Sequence, residues 1–121
     1  GASHHGENEQ RIIQFGLINK YHVSLTTSFL ERVKKMTDFD GKPLIENVLM
    51  LYGSPMGDGN LHNHKRVPLF LAGHAGGKLK GGLHVKAADG TPSANLYLAL
   101  LHKLGVDDVK VFGDSSAEMS L

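Results

Sequence analysis

Val48-Leu49-Met50-Leu51, then Tyr52-Gly53-Ser54-Pro55-Met56-Gly57-Asp58-Gly59-Asn60-Leu61-His62-Asn63-His64, then Val67-Pro68-Leu69-Phe70-Leu71 is the stretch on which the fold turns. Two short apolar runs flank thirteen residues holding three glycines, a proline, one carboxylate, two amides and two imidazoles. A plain connection between elements needs about two to six residues. The surplus length is filled with side chains able to bind metal, and loops held by rigid strands are where chemistry concentrates. Apolar runs that are short and do not alternate have the pattern of strands covered on both faces of a parallel sheet. Pro68 is tolerated near the start of the second strand.

Working outward, Gly1 to Gly6 reads as loop, and Glu7-Asn8-Glu9 places acid where a helix N-terminus favours it. From Glu7 to Met36 the period is helical. Ile18, Tyr21 or His22, Leu25, Phe29, Val33 and Met36 fall three and four apart on one stripe, and Gly16 is a candidate kink. An Asp-Gly turn between Asp38 and Lys42 ends this helix. After the second strand, Gly73 to Gly82 is a glycine- and lysine-rich loop, and Leu83 to Lys86 reads as a short alternating strand. Thr91-Pro92 predicts a helix start, Leu96, Leu100, Leu101 and Leu104 its buried stripe, and Gly105 its C′ residue. Val109 to Phe112 suggests a last strand, with Gly113 to Leu121 as a tail. The expected fold class is α/β, a partial α/β/α sandwich with a mainly parallel sheet.

Composition narrows the function. A chain of 121 residues suits one domain, and 40% hydrophobic with 21% charged residues is ordinary for a globular protein. Formal charge is +1, and no basic run interleaves with aromatics, which argues against nucleic acid as partner. Cysteine is absent, which removes thiolate ligands, disulfides and cysteine nucleophiles. No run reaches the roughly 18 apolar residues of a membrane span. Eight histidines are the outlier, at about three times an ordinary share.

Asp58, His62 and His64 lead the candidate metal ligands, because carboxylate oxygen and imidazole nitrogen are usual donors to zinc and related divalent ions. His62 and His64, two apart, share one side of an extended segment. The competing reading makes them polar loop residues with their rings in water. Ser3-His4-His5 is the second candidate; adjacent histidines in a strand face opposite ways, so one would ligate while the other hydrogen-bonds. Gly73-His74-Ala75-Gly76-Gly77-Lys78-Leu79-Lys80 lacks the P-loop spacing and opens no helix. Its backbone N–H groups, with Lys78 and Lys80, could still hold a sulfate- or phosphate-sized anion. Flexible loop is the simpler reading. No Gly-x-Ser-x-Gly elbow and no Ser-His-Asp arrangement is present.

Ser3-His4-His5, Tyr21-His22, Ser28-Phe29-Leu30, Leu51-Tyr52-Gly53-Ser54, Asp58-Gly59-Asn60 and His62-Asn63-His64 together resemble the C-terminal part of the HXXSHH family of uncharacterised bacterial proteins. Pro68-Leu69, Leu71-Ala72-Gly73, Leu79-Lys80-Gly81-Gly82, Thr91-Pro92 and Phe112-Gly113-Asp114-Ser115 continue the likeness over nearly the whole chain. Through a sulfatase-like group, that family is distantly similar to the alkaline phosphatase and sulfatase superfamily. The resemblance implies that residues 1–121 are one domain, the C-terminal fragment of a larger exported protein, with the remaining N-terminal part as its structural partner. It also implies hydrolysis of a sulfate or phosphate ester, an anionic small molecule or saccharide, with one or two divalent metals. Zinc, calcium and magnesium are all open. His4, His5, Asp58, His62 and His64 would be ligands, and Asn60, Lys78 and Lys80 would face the substrate. The superfamily's paired Asp-His ligands are not present in their usual form, and its nucleophile falls outside these residues. The alternative is a non-catalytic exported binding or structural module with a degenerate site. Exposed apolar flanks on the two strands would call for a partner chain, a second copy included.

Overall fold

A computed structural model describes residues 2–121. Helix α1 spans Glu9–Lys35. Asn8 caps it, with extended backbone and a side-chain oxygen accepting the Arg11 N–H at 3.1 Å. Glu9 at its start and Arg32, Lys34 and Lys35 in its last turn complement the helix dipole. The hydroxyls of Ser24, Thr26 and Thr27 donate to the carbonyls of Tyr21, His22 and Val23, so these polar residues are satisfied within the helix. The helix runs continuously through Gly16 and is not divided there.

A turn closed by Asp38 N–H to Lys42 O (2.8 Å), with Gly41 at φ +81°, leads to the single-turn helix α2, Leu44–Asn47. The Asn47 amide fixes this turn by donating to Asp38 Oδ2 at 2.8 Å and Asp40 Oδ2 at 3.1 Å. Strands β1, Met50–Gly53, and β2, Leu69–Ala72, follow.

The two strands pair antiparallel, in the register Met50↔Ala72, Leu51↔Leu71, Tyr52↔Phe70 and Gly53↔Leu69. This overturns the mainly parallel α/β/α sandwich. The connection from 54 to 68 is long enough for a parallel crossover, but such a crossover is usually a helix. Gly53, Pro55, Gly57 and Gly59 deny it one. The loop instead folds on itself through an Asp58↔Asn63 bridge and returns as a hairpin. Tyr52 and Phe70, directly opposite, bring their rings to 5.1 Å. Leu51 and Phe70, on opposite faces of the hairpin, are nevertheless exposed.

Neither Leu83 to Lys86 nor Val109 to Phe112 forms a strand. Residues 81–90 are exposed throughout, and alternation alone gives such a segment no edge to pair with.

Helix α3, Ala94–Lys103, begins two residues after the start expected at Thr91-Pro92: Ser93 is its N-cap, without a side-chain cap bond, and Asn95 N–H donates to Pro92 O at 3.1 Å. It ends at Gly105, φ +86°, whose N–H donates to His102 O at 3.0 Å. Ala94, Leu96, Leu98, Ala99 and Leu100 are buried, and together with Val33, Ala75 and Leu79 they make up the core. Leu101 is half-buried and Leu104 exposed, so the buried face is rotated from the predicted stripe.

The segment after Gly113 is pinned rather than trailing. The buried Asn95 accepts the N–H groups of Ser116 (2.9 Å) and Ala117 (3.4 Å) at Oδ1, and its backbone carbonyl takes the Met119 N–H at 3.1 Å.

The total accessible surface is 8720 Å². A compact monomer of 13.1 kDa would expose about 6,400 Å² by the usual mass scaling. Roughly 2,300 Å² is thus surface that a compact fold of this size would cover. No described helix is long and apolar enough to cross a membrane.

Candidate functional site

The loop after β1 is a rigid turn built by its own polar side chains. Asp58 Oδ1 accepts the N–H groups of Asn60 (2.8 Å) and Leu61 (3.1 Å), an Asx turn. Gly57 N–H and Asn63 N–H close a small ladder onto Asn63 O and Asp58 O, both at 2.9 Å. A Cβ on Gly57 would collide with the Lys65 carbonyl, so glycine is required for the close approach. Asn63 Oδ1 accepts the Lys65 N–H at 2.8 Å. His62 takes a left-handed conformation, φ +51°.

The N-terminal segment lies against this loop. Asn60 is the clasp: its Oδ1 accepts the Gly6 N–H at 2.9 Å, and its Nδ2 donates to Glu7 Oε1 at 3.1 Å. Ser3 sits so close to Gly59 that a Cβ there would come within 3.1 Å of the serine Cβ. The result is an edge-to-face pair of imidazoles, His4 and His62, with ring centroids 4.8 Å apart. Two imidazoles on one tetrahedral zinc, with Zn–N of about 2.0–2.1 Å, hold their centroids roughly 5 Å apart. Ser3 Oγ lies 3.1 Å from His4 Nδ1, so Nε2 is the His4 nitrogen left to face a ligand.

The other candidates are held differently. His5, expected to approach His62 or His64, turns back on its own segment. Its Nδ1 accepts the Glu7 N–H at 3.2 Å, and the Glu7 carboxylate stands 3.8 Å away. His64 Nδ1 donates to the Pro55 carbonyl at 2.9 Å, and Asp58 spends Oδ1 on the turn. Among the described residues no group of three or more His, Asp or Glu side chains is arranged around one point. Asn60, expected at a substrate, has both ends of its amide engaged in the clasp.

The 73–82 loop is anchored from below. His74 N–H, Ala75 N–H and Gly76 N–H donate to the carbonyls of Ile45, Val48 and Glu46, and Leu79 plugs the turn as a buried side chain. Lys78 and Lys80 flank Leu79, both exposed. Lys78 lines an open cleft of about 400 Å³ with His102, Lys103 and Glu118, far along the chain from the His4–His62 pair.

His102, on α3, falls outside the expected ligand set yet is held by two partners. Its Nε2 faces the Val109 carbonyl at 2.7 Å and its Nδ1 the Glu118 carboxylate at 2.9 Å. Two acceptors can both be served only by the doubly protonated ring. The Val109 carbonyl first, and Glu118 next, accordingly raise its pKa above 6.5. The partners lie seven and sixteen residues away, so no local spacing announces them. No family model, curated protein or solved structure matches the chain.

Proposed function

We propose that the chain presents a half-site for one divalent cation, formed by the imidazoles of His4 and His62 and completed by donors from a companion surface. The observation that carries this reading is the clasp. It joins segments more than fifty residues apart and holds the two rings at a separation suited to one shared ion. Ser3 orients the His4 ring, while Asp58 and Asn63 keep the loop rigid enough to present His62. Such support by neighbouring groups is what makes a ligand pair selective.

In the setting that the motif resemblance implies, a sulfatase-like protein of greater length, the cation would polarise a sulfate or phosphate ester and lower the pKa of a nucleophile. The antiparallel hairpin withdraws fold-level support from that setting, so ester hydrolysis rests on the motifs alone. The reading of a non-catalytic metal-binding module draws on a specific observation. Asp58 Oδ1 and His64 Nδ1 are committed to the loop's own backbone, which leaves His4 Nε2 and the His62 ring to face an ion, with Ser3 Oγ on His4 Nδ1 as the adjacent hydroxyl.

Zinc titration by calorimetry tests the half-site. The chain should bind one zinc, weakly for want of further ligands. His4→Ala and His62→Ala should each abolish binding, while His5→Ala leaves it unchanged. Undiminished binding in the His4→Ala/His62→Ala double variant would sink the assignment.

A further inference from the structure

We infer that His102 is a proton-operated fastener of the C-terminal segment. Charged, it ties both the turn at Val109 and the segment at Glu118 to the end of α3; neutral, it releases Glu118. The geometry forces the choice. Nε2 lies 2.7 Å from the Val109 carbonyl and Nδ1 2.9 Å from Glu118 Oε2. Both partners only accept, and a neutral imidazole carries one N–H. On losing its proton the ring must therefore present a lone pair to one of them.

Glu118 is the partner that yields. The Val109 carbonyl belongs to a turn tied to the helix end, where Gly105 N–H and Val106 N–H donate to the His102 and Leu101 carbonyls, both at 3.0 Å. The Glu118 carboxylate ends a flexible side chain that is 49% exposed, against 22% for His102. It is free to turn into water, or into the open cleft it shares with Lys78 and Lys103. The segment's other anchor does not titrate. Asn95, seven residues back along α3, holds the N–H groups of Ser116, Ala117 and Met119. The proton thus switches the segment between two points of attachment and one.

Charges from every side bear on this switch. Glu118 and Asp107 favour the imidazolium, as does its place in the last turn of α3. Lys78 of the 73–82 loop and Lys103, next along the helix, oppose it, while Lys110 is drawn to the Asp107 carbonyl at 2.6 Å. The balance lies with the charged ring, whose pKa the Val109 carbonyl and then Glu118 raise above 6.5. The segment is fastened at both points below pH 6.5 and loses the second as pH rises through the folded pKa. This inference does not depend on the metal half-site.

NMR on the whole chain between pH 5.5 and 8.5 tests it. The Glu118 resonances should move with the midpoint of the His102 ring. Above that pH the Glu118 side chain should gain fast motion while the Ser116 backbone keeps its order. Ring nitrogen shifts should show the neutral proton on Nε2. Glu118→Gln should lower the ring's midpoint and remove the change in motion, because a glutamine amide can donate to the bare Nδ1. Three results would overturn the inference: Glu118 resonances that ignore the ring, an unchanged midpoint in Glu118→Gln, or a neutral proton on Nδ1. The last would make Val109 the partner released.

Discussion

Replacing Asn60 by alanine isolates the clasp without touching a candidate ligand. The substitution removes the Gly6 N–H bond, worth about 1 kcal/mol, and the bond to the Glu7 carboxylate. The second is charge-assisted but solvent-exposed, so about 0.5–1 kcal/mol is appropriate. The edge-to-face contact of His4 with His62 adds about 0.5–1.5 kcal/mol to docking. Against these stands the conformational entropy of ordering the backbone from 2 to 5, which keeps docking marginal. A loss of roughly 1.5–2 kcal/mol should pass largely into the docked population, and hence into any affinity that needs both imidazoles, as a decrease of about tenfold. By NMR, cross-peaks between the His4 and His62 rings should vanish in Asn60→Ala, the Gly6 amide should lose its exchange protection, and zinc affinity should fall accordingly. Asn60→Asp keeps the acceptor for Gly6 but sets two carboxylates face to face; it should also undock, and Glu7→Gln should rescue it. Asn60→Ala with intact cross-peaks and a protected Gly6 amide would refute the clasp.

Two further outcomes follow from local geometry. The folded-state pKa of His102 lies above its unfolded value of 6.5, so its contribution to stability is fully present below pH 6.5 and is lost as pH rises through the folded pKa. Thermal melts between pH 5.5 and 8.5 should show a decline that His102→Gln reduces; an unchanged slope in the variant would show that His102 is not its source. Gly57→Ala, where a Cβ meets the Lys65 carbonyl, should lower the melting temperature, whereas Gly16→Ala in the open interior of α1 should raise stability by about 1 kcal/mol. Equal effects at the two glycines would contradict the close approach at Gly57.

Both long-lived elements were legible in the residues themselves. The limits of α1 follow from acid at Glu9, base at Lys34 and Lys35 and an apolar period of 3.6. The end of α3 follows from Gly105, because caps and periodicity act within a few residues of chain; its start falls two residues beyond the expected Thr91-Pro92. That the N-terminal histidines share a site with the 58–64 loop was an expectation from motif resemblance, with no local signal behind it; the structure sets His4 beside His62. Which histidine takes part was not legible. His4 rather than His5 meets His62 because Asn60 grips Gly6 and Glu7, and that grip crosses more than fifty residues.

Strand direction likewise escaped the sequence. An apolar run of four residues looks the same in a parallel and an antiparallel pair, and only the fold of the 54–68 connection chooses between them. The pinned C-terminal segment and the paired acceptors around His102 depend on where Asn95 and Val109 finally lie. The sequence by itself determined the two long helices and the loop that carries the imidazoles, since these arise from contacts a few residues apart. Tertiary structure alone decided strand direction, ligand choice and the partners of His102, because each depends on surfaces that meet only after the chain has folded.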